Sequence, residues 1–238
     1  MSEIPSEFHS AISRIDLKGL QTFQKAKRIA FDLAYGHRPG KGLSSDSGRA
    51  LKFIYAGNAG VCSDYAQVYT GLCLASGILI REWGLCDDFV ATKYGHSFSE
   101  VFSSEYDKWV FIDAYRSVYA TRQGRTEPMS VIELIDLVTA HLADRIHFRY
   151  IVDERRPAGR PVADVFCNSE NIFFLLSDYN VFRQDKALKW ANVLPLPLLH
   201  FILLITGEYQ RFHVYINHDN ERVMKEKLRA LRRYFLSA

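Results

Sequence analysis

Cys62, His96 and Asp113 have the types and the order needed for acyl transfer through a cysteine nucleophile. A thiol attacks a carbonyl well only as a thiolate, and a free cysteine is mostly protonated at neutral pH. A helix N-terminus and a neighbouring imidazolium both lower the pKa of a thiol. A carboxylate on the other ring nitrogen can hold such an imidazole in place. The three residues therefore predict a nucleophile, a general base and an orienting group.

The cysteine is predicted to begin a helix. It follows the helix-breaking stretch "AGNAG", and the residues after it repeat at helical spacing, with positions 62, 66, 69 and 73 on one face. Gly77 is expected to end this helix as its C-terminal cap. Cys62 would then lie where backbone amides stabilise a negative charge.

The histidine and the aspartate are predicted to lie on neighbouring strands. The stretches "GHSFSEVF" and "KWVFIDAY" alternate with period two, and the short polar link "SSEYD" joins them. This pattern is typical of an antiparallel hairpin. His96 and Asp113 would then approach each other across the pair. The segment "ILIREWGL" before them is predicted to be a further strand.

Further helices are predicted around this sheet, which gives an α+β fold with helices packed against an antiparallel sheet. An apolar stripe predicts a helix from Asp16 to about Ala34. Other expected elements are a helix through Tyr55 capped by Ser47 or Asp46, a helix after the Ser130…Glu133 capping box, a strand at Phe148–Val152 and a final helix from Glu221.

Four stretches in this order, "GVCSDYA", "GLCLASGILIR", "GHSFSEVF" and "WVFIDA", resemble the motif series of the transglutaminase-like superfamily. The resemblance implies a papain-like core with a Cys-His-Asp triad, the cysteine heading a helix and the other two residues on adjacent strands. It covers residues 51–115 as a motif core. We expect a catalytic domain at residues 1–150 and a C-terminal extension at residues 151–238 packed on the same domain.

The implied activity is that of a cysteine hydrolase or acyltransferase that forms a thioester. Its substrate would be a peptide, a protein or a small amide or ester, with an amine as a possible acceptor. The oxyanion hole would use the backbone N–H of Cys62, and Asn58 and Tyr55 are alternatives for a side-chain donor. The competing reading is an inactive transglutaminase-like binding module. An arylamine-acetyltransferase-like activity ranks lower. Such enzymes place an arginine and paired small residues before their cysteine, and this sequence lacks them before Cys62.

Composition excludes several other classes. A net charge of +3 does not call for a nucleic-acid partner. The four cysteines contain no CxxC pair, and neither a zinc motif nor an acidic calcium loop is present, so no metal and no cofactor is expected. Without an apolar signal region at its start, the chain is predicted to be cytoplasmic.

The apolar stretch "VLPLPLLHFILLI" is too short to span a membrane. The basic final segment leaves membrane-surface contact through the C-terminal region as a weaker alternative.

The other conspicuous side chains are expected to be structural. Trp109 and Phe111 are predicted to lie in the core. Glu100 is expected to form an ion pair with Arg81. The remaining cysteines are Cys73 and Cys167, predicted to be buried and inert, and Cys86, predicted to be exposed.

Overall fold

The structure is a computed structural model, and it describes residues 4–34, 40–43, 46–87, 94–152, 161–176, 198 and 212–215. Two predicted features lie outside these residues. They are the final helix from Glu221 and almost all of the apolar stretch at 193–205.

Four helices precede the sheet in the chain. They are α1 (Ser6–Ile12), α2 (Thr22–Ala34), α3 (Ser47–Tyr55) and α4 (Cys62–Ala75). Of the two cap candidates for α3, Asp46 takes the role, because its carboxylate accepts the Arg49 N–H at 3.1 Å. The predicted start of α2 at Asp16 is wrong by six residues. Gly19 adopts a left-handed conformation with φ of 73°, which interrupts the helical path before Thr22.

The helix α4 follows its prediction closely. It begins at Cys62 and ends in a Schellman motif, in which Gly77 has φ of 78°. The Gly77 N–H donates to the Leu74 carbonyl, and the Ile78 N–H donates to the Cys73 carbonyl at 2.9 Å. These bonds satisfy carbonyls that the helix leaves open, so the sequence signal for the helix end is confirmed.

Seven antiparallel strands form one sheet in the order β5-β4-β3-β2-β1-β6-β7. The strands are β1 (Ile80–Cys86), β2 (Gly95–Ser103), β3 (Lys108–Asp113), β4 (Val118–Arg122), β5 (Ile146–Tyr150), β6 (Ile172–Leu176) and β7 (Phe212–Tyr215). The predicted hairpin is confirmed as β2 and β3, with Phe102 opposite Trp109 and Glu100 opposite Phe111. The strand predicted at Phe148–Val152 begins two residues earlier, at Ile146.

Each face of the sheet packs against its own helices. On one face, apolar side chains of β1, β2 and β3 pack against the first four helices. On the other face, Trp83, Phe98 and Phe111 pack against α5 (Val131–Thr139) and α6 (Val162–Phe166). A single 3-10 turn, Ala143–Arg145, precedes β5. The predicted α+β class, with helices against an antiparallel sheet, is therefore confirmed.

Residues from beyond 150 contribute to the face that carries Trp83, Phe98 and Phe111. The helix α6 packs on this face, and β6 extends the sheet by pairing with β1, from Glu82 opposite Leu176 to Cys86 opposite Ile172. The division into residues 1–150 and 151–238 stays a prediction.

Several further predictions are confirmed, and three predictions of side-chain burial are wrong. The Ser130…Glu133 capping box begins α5, and the Arg81–Glu100 ion pair forms at 2.7 Å. Phe111 is buried, whereas Trp109 is only half-buried and carries the Arg81 guanidinium 4.1 Å above its ring. Cys86 is buried because β6 covers its strand, and Cys167 is half-buried rather than buried.

Candidate active site

Cys62 is the first residue of α4, and a carboxylate fixes the chain just before it. The Asp64 side chain accepts the N–H of Val61 at 2.9 Å and the N–H of Leu43 at 3.1 Å. Val61 is extended, with φ of −109° and ψ of 175°, so the helix begins at the next residue. The first backbone N–H groups of α4 have no partner within the helix, and they lie at the same end of the helix as the Cys62 thiol.

His96 and Asp113 meet where β2 and β3 approach that helix start. The His96 Nε2 lies 2.7 Å from the Asp113 Oδ2, and both side chains are buried, at 5% and 0% exposure. The paired register of the hairpin ends at Ser99 opposite Ile112, so His96 and Asp113 lie beyond it and interact diagonally across the strands. The structure thus brings the predicted histidine and aspartate together.

Cys62 completes the arrangement with the other nitrogen of the imidazole. Its side chain forms a hydrogen bond with His96, and the backbone N–H of Ser97 donates to its sulfur. Because Nε2 is held by Asp113, Nδ1 is the ring nitrogen that remains for the thiol. The order thiol, imidazole, carboxylate is the arrangement of a catalytic triad.

The electrostatics of the three groups favour an ion pair between thiolate and imidazolium. Burial alone would raise the pKa of Cys62, but the His96 hydrogen bond, the His96 charge and the Ser97 N–H together lower it. Burial alone would lower the pKa of His96, and the Asp113 carboxylate with Cys62 raises it to about 9. A lowered thiol pKa beside a raised imidazole pKa favours the thiolate and imidazolium over the two neutral groups.

Asp113 is itself held by the turn that follows β3. Its Oδ1 accepts the backbone N–H of Arg116 at 2.9 Å, and the Arg116 Nε lies 4.0 Å from its Oδ2. Arg116 is 7% exposed and also donates from Nη2 to the Tyr94 hydroxyl at 3.5 Å. These contacts fix the carboxylate that orients His96.

Aromatic rings enclose the imidazole. The Phe98 ring is nearly parallel to it at 6.2 Å, and the Tyr115 and Phe166 rings meet it edge-on at 6.0 and 5.5 Å. Tyr94 and Tyr115 are half-buried. Burial raises the pKa of both hydroxyls, the negative charges of Cys62 and Asp113 add to the rise, and the Arg116 cation opposes it.

The two side-chain donors considered for the oxyanion hole are both engaged elsewhere. The Asn58 amide donates to the Phe53 carbonyl at 3.1 Å. The Tyr55 hydroxyl donates to the Asp32 carboxylate at 2.7 Å. Burial and that carboxylate raise the pKa of Tyr55 well above its usual range. A different donor, the backbone N–H of Ser97, serves the Cys62 sulfur itself. Because it is a backbone group, residue types do not reveal it.

A separate cleft of about 210 Å³ lies at the other end of β3 and contains none of the three residues. Lys108 at its edge forms ion pairs with Glu127 at 2.6 Å and with Glu133 at 3.1 Å. We interpret this cleft as a surface network of paired charges.

Within the described ranges, no group of three or more His, Cys, Asp or Glu side chains could hold a metal ion. None of the helices in those ranges is both long and apolar enough to cross a membrane.

Comparison with known proteins gives one match. The family model described as the transglutaminase-like superfamily matches residues 12–114, a segment that holds all three site residues and ends one residue after Asp113. Neither the curated proteins nor the solved structures searched contain a match to this chain.

Proposed function

Because residues 12–114 of this chain are a transglutaminase-like domain, we propose that the protein is a cysteine enzyme that cleaves or transfers acyl groups. Its substrates would be amides or esters of a peptide, a protein or a small molecule. Cys62 is the nucleophile, His96 the general acid and base, and Asp113 the group that orients His96. The observation that carries the proposal is the placement of the His96 ring between the Cys62 thiol and the Asp113 carboxylate, whose Oδ2 lies 2.7 Å from Nε2.

The first half-reaction acylates the cysteine. The Cys62 thiolate adds to the carbonyl carbon, and the carbonyl electron pair moves onto oxygen. When that pair returns, the bond to the leaving amine or alkoxide breaks, and the His96 imidazolium supplies the proton that the leaving group needs. A thioester on Cys62 and a neutral imidazole remain.

The second half-reaction restores the enzyme. Water or an amine attacks the thioester carbonyl and gives its proton to His96, and the thiolate departs. The product is an acid when water attacks and a new amide when an amine attacks. The backbone N–H of Cys62, at the start of α4, is the proposed oxyanion donor in both halves, since the helix does not use it internally.

The proposal is tested by trapping the thioester. Purified protein is mixed with an activated ester such as p-nitrophenyl acetate and examined by intact and peptide mass spectrometry. We expect a single acetyl group on Cys62 and its complete loss in Cys62→Ala. Cys167→Ala is the matched control, because Cys167 is also half-buried and its burial raises its pKa to about 11. Partner binding without any acylation of Cys62 would instead support the inactive binding module.

Adding methylamine separates hydrolysis from transfer. An acyltransferase gives N-methylacetamide at the expense of acetate, whereas a hydrolase gives acetate at every amine concentration. The partition depends on how well the site admits the amine and excludes water.

We also propose a cytoplasmic location. All four cysteines are free thiols, and a nucleophilic Cys62 has to stay reduced. Fractionation of cells that express the native protein tests this location. Recovery with secreted or periplasmic proteins would contradict it.

A further inference from the structure

Phe166 reaches the candidate site from beyond the segment that matches the family. It is the last residue of α6, and its ring is fully buried. The ring centroid lies 5.5 Å from that of His96, at an interplanar angle of 80°. The edge-on geometry brings an apolar ring against the imidazole that the proposed reaction uses.

Other aromatic side chains fix the position of Phe166. Its ring meets Phe98 at 5.1 Å and Phe111 at 5.0 Å, both edge-on. Phe148 lies against it at 5.7 Å with a tilt of 34°. These contacts come from β2, β3 and β5, so the ring is held by three strands of the sheet.

The short helix that carries Phe166 is fixed to the sheet in its turn. Val162 and Val165 are buried in the same apolar cluster. The Asn171 side chain donates to the Val165 carbonyl at 2.6 Å, and the chain then enters β6, which pairs with β1. The position of the ring therefore depends on residues 161–176 as well as on the matched domain.

We propose that Phe166 is a positioning residue for the acyl transfer proposed above, on which this inference rests. Its ring restricts rotation of the imidazole and keeps water away from the hydrogen bond between His96 and Asp113. That bond holds its strength because the surroundings are apolar and its partners are buried. A region outside the family match thus completes the site.

Removing the Phe166 ring would change the surroundings of His96 directly. Water entering beside His96 screens the attraction of the Asp113 carboxylate, which is the main cause that raises the histidine pKa against burial. The pKa of His96 then moves away from about 9, because water relieves the burial that lowers it and screens the Asp113 charge that raises it. The imidazole also gains rotational freedom, and misplacement of a catalytic group by about 1 Å can lower a rate about 100-fold.

The test compares Phe166→Ala, Phe166→Leu and the control Phe148→Ala. Phe148 belongs to the same aromatic cluster and contacts Phe166 and Phe111, yet it has no ring contact with His96. Each full-length variant is measured for the NMR titration of the His96 ring, for kcat and KM on p-nitrophenyl acetate, and for folding by circular dichroism.

We expect Phe166→Ala to shift the His96 pKa from its wild-type value and to reduce kcat by about 10- to 100-fold with little change in KM. Phe166→Leu keeps most of the apolar volume, so its His96 pKa and its kcat should lie between those of Phe166→Ala and wild type. If the alanine variant does not fold, the leucine variant still decides the test. Phe148→Ala removes one support of Phe166 but keeps the Phe166 ring, so it should change both quantities less than Phe166→Ala does.

Folded Phe166 variants whose His96 titration matches that of Phe148→Ala would overturn the positioning role. The titration needs no substrate, so it judges this role separately from the proposed function. The proposed function fails if wild-type protein forms no thioester on Cys62.

Discussion

At the scale of single residues, the site depends on three groups that change one another's protonation. Asp113 makes the imidazolium of His96 favourable, and that imidazolium makes the thiolate of Cys62 favourable. Each effect has to overcome burial, which opposes the charged form of both groups. The N–H groups of Ser97 and of the α4 start add to the stability of the negative sulfur. Removing one charge should therefore alter the protonation of all three groups.

Asp113→Asn tests this coupling. The change keeps the size of the side chain and removes the charge that contributes most to raising the His96 pKa against burial. We expect the His96 pKa to fall from about 9 to about 6.5 or lower. At neutral pH the ring then loses its charge and Cys62 regains its proton, so kcat/KM should fall by about 10² to 10⁴-fold.

NMR titration of His96 and steady-state kinetics measure the two effects. The control is Asp107→Asn in the exposed β2–β3 turn, where φ is 50° and asparagine fits well. A His96 titration that stays at the wild-type value in Asp113→Asn would contradict the coupling.

At the scale of elements, one buried carboxylate joins the hairpin, β1 and α5. Glu100 is fully buried and accepts the Arg81 Nε at 2.7 Å, the Trp83 Nε1 at 2.9 Å and the Val131 N–H at 2.7 Å. The last of these is the first N–H of α5, which has no partner within the helix. The same strand carries His96 four residues earlier, so this network helps to fix the strand that positions the site.

Glu100→Ala should lower the free energy of unfolding by about 3–5 kcal/mol, because it leaves the half-buried Arg81 cation and two buried N–H donors without their acceptor. Glu127→Ala breaks an ion pair that is slightly shorter, at 2.6 Å, but lies at the surface, so we expect a loss of only about 0–1 kcal/mol. Urea unfolding measures the free energy of unfolding of both variants. Equal losses in the two variants would show that burial of the network contributes nothing.

Two helical glycines provide a second comparison. In α4, a Cβ on Gly71 would overlap the ring of Phe8, a fully buried residue of α1. In α3, a Cβ on Gly48 would meet no atom closer than 3.5 Å. Alanine favours helices over glycine by up to about 1 kcal/mol, and overpacking costs about 1–3 kcal/mol.

We therefore expect Gly71→Ala to lower the melting temperature and Gly48→Ala to leave it unchanged or slightly raised. Thermal unfolding followed by circular dichroism decides between the two effects. A Gly71→Ala protein as stable as wild type would mean that α1 shifts away from α4 without loss.

At the scale of the whole molecule, the sheet connects segments that are distant in the sequence. β6 and α6 complete the face that carries Phe98 and Phe111, so the histidine of the hairpin is enclosed partly by residues 161–176. On the other face of β1 lies Glu82, 9% exposed and opposite Ser99. Burial raises the pKa of Glu82 to about 8, from an ordinary value of 4.5.

Glu82 makes the stability of the fold depend on pH. The folded chain keeps the Glu82 proton up to about pH 8, whereas the unfolded chain releases it above about 4.5. The stability associated with this proton is present below about pH 4.5 and is lost as the pH rises towards 8. Glu82→Gln removes this dependence. Relative to wild type, its gain in unfolding free energy should be near zero at low pH and on the order of 2–4 kcal/mol above pH 8.

Denaturant unfolding at a series of pH values measures this difference, with Asp136→Asn as the control at an exposed acid. A difference between Glu82→Gln and wild type that does not grow with pH would contradict the assignment. A growing difference in Asp136→Asn as well would point to a general effect of charge.

The sequence predicts those parts of the fold that local pattern encodes. The helix from Cys62 to the cap at Gly77, the β2–β3 hairpin and the capped α5 all follow from periodicity and turn chemistry. The candidate site follows from the same signals, because a helix start and two adjacent strands are each local.

What the sequence does not predict depends on contacts between distant segments. Cys86 is buried by a strand that lies far along the chain, and Phe166 reaches His96 across a similar separation. Asn58 and Tyr55 are suitable donors by type, and only the fold engages them with Phe53 and Asp32.

The most direct test of the central claim is the pH dependence of iodoacetamide alkylation at each cysteine, followed by peptide mass spectrometry in wild type and in His96→Ala. The account predicts that Cys62 reacts well below the pKa of about 8.5 of a free thiol and that His96→Ala moves its profile upward. Cys73 and Cys167, whose pKa values burial raises, should react later than Cys62 in both proteins. If Cys62 follows the profile of an ordinary thiol in wild type and in His96→Ala alike, the ion pair is not formed and the enzyme reading is contradicted.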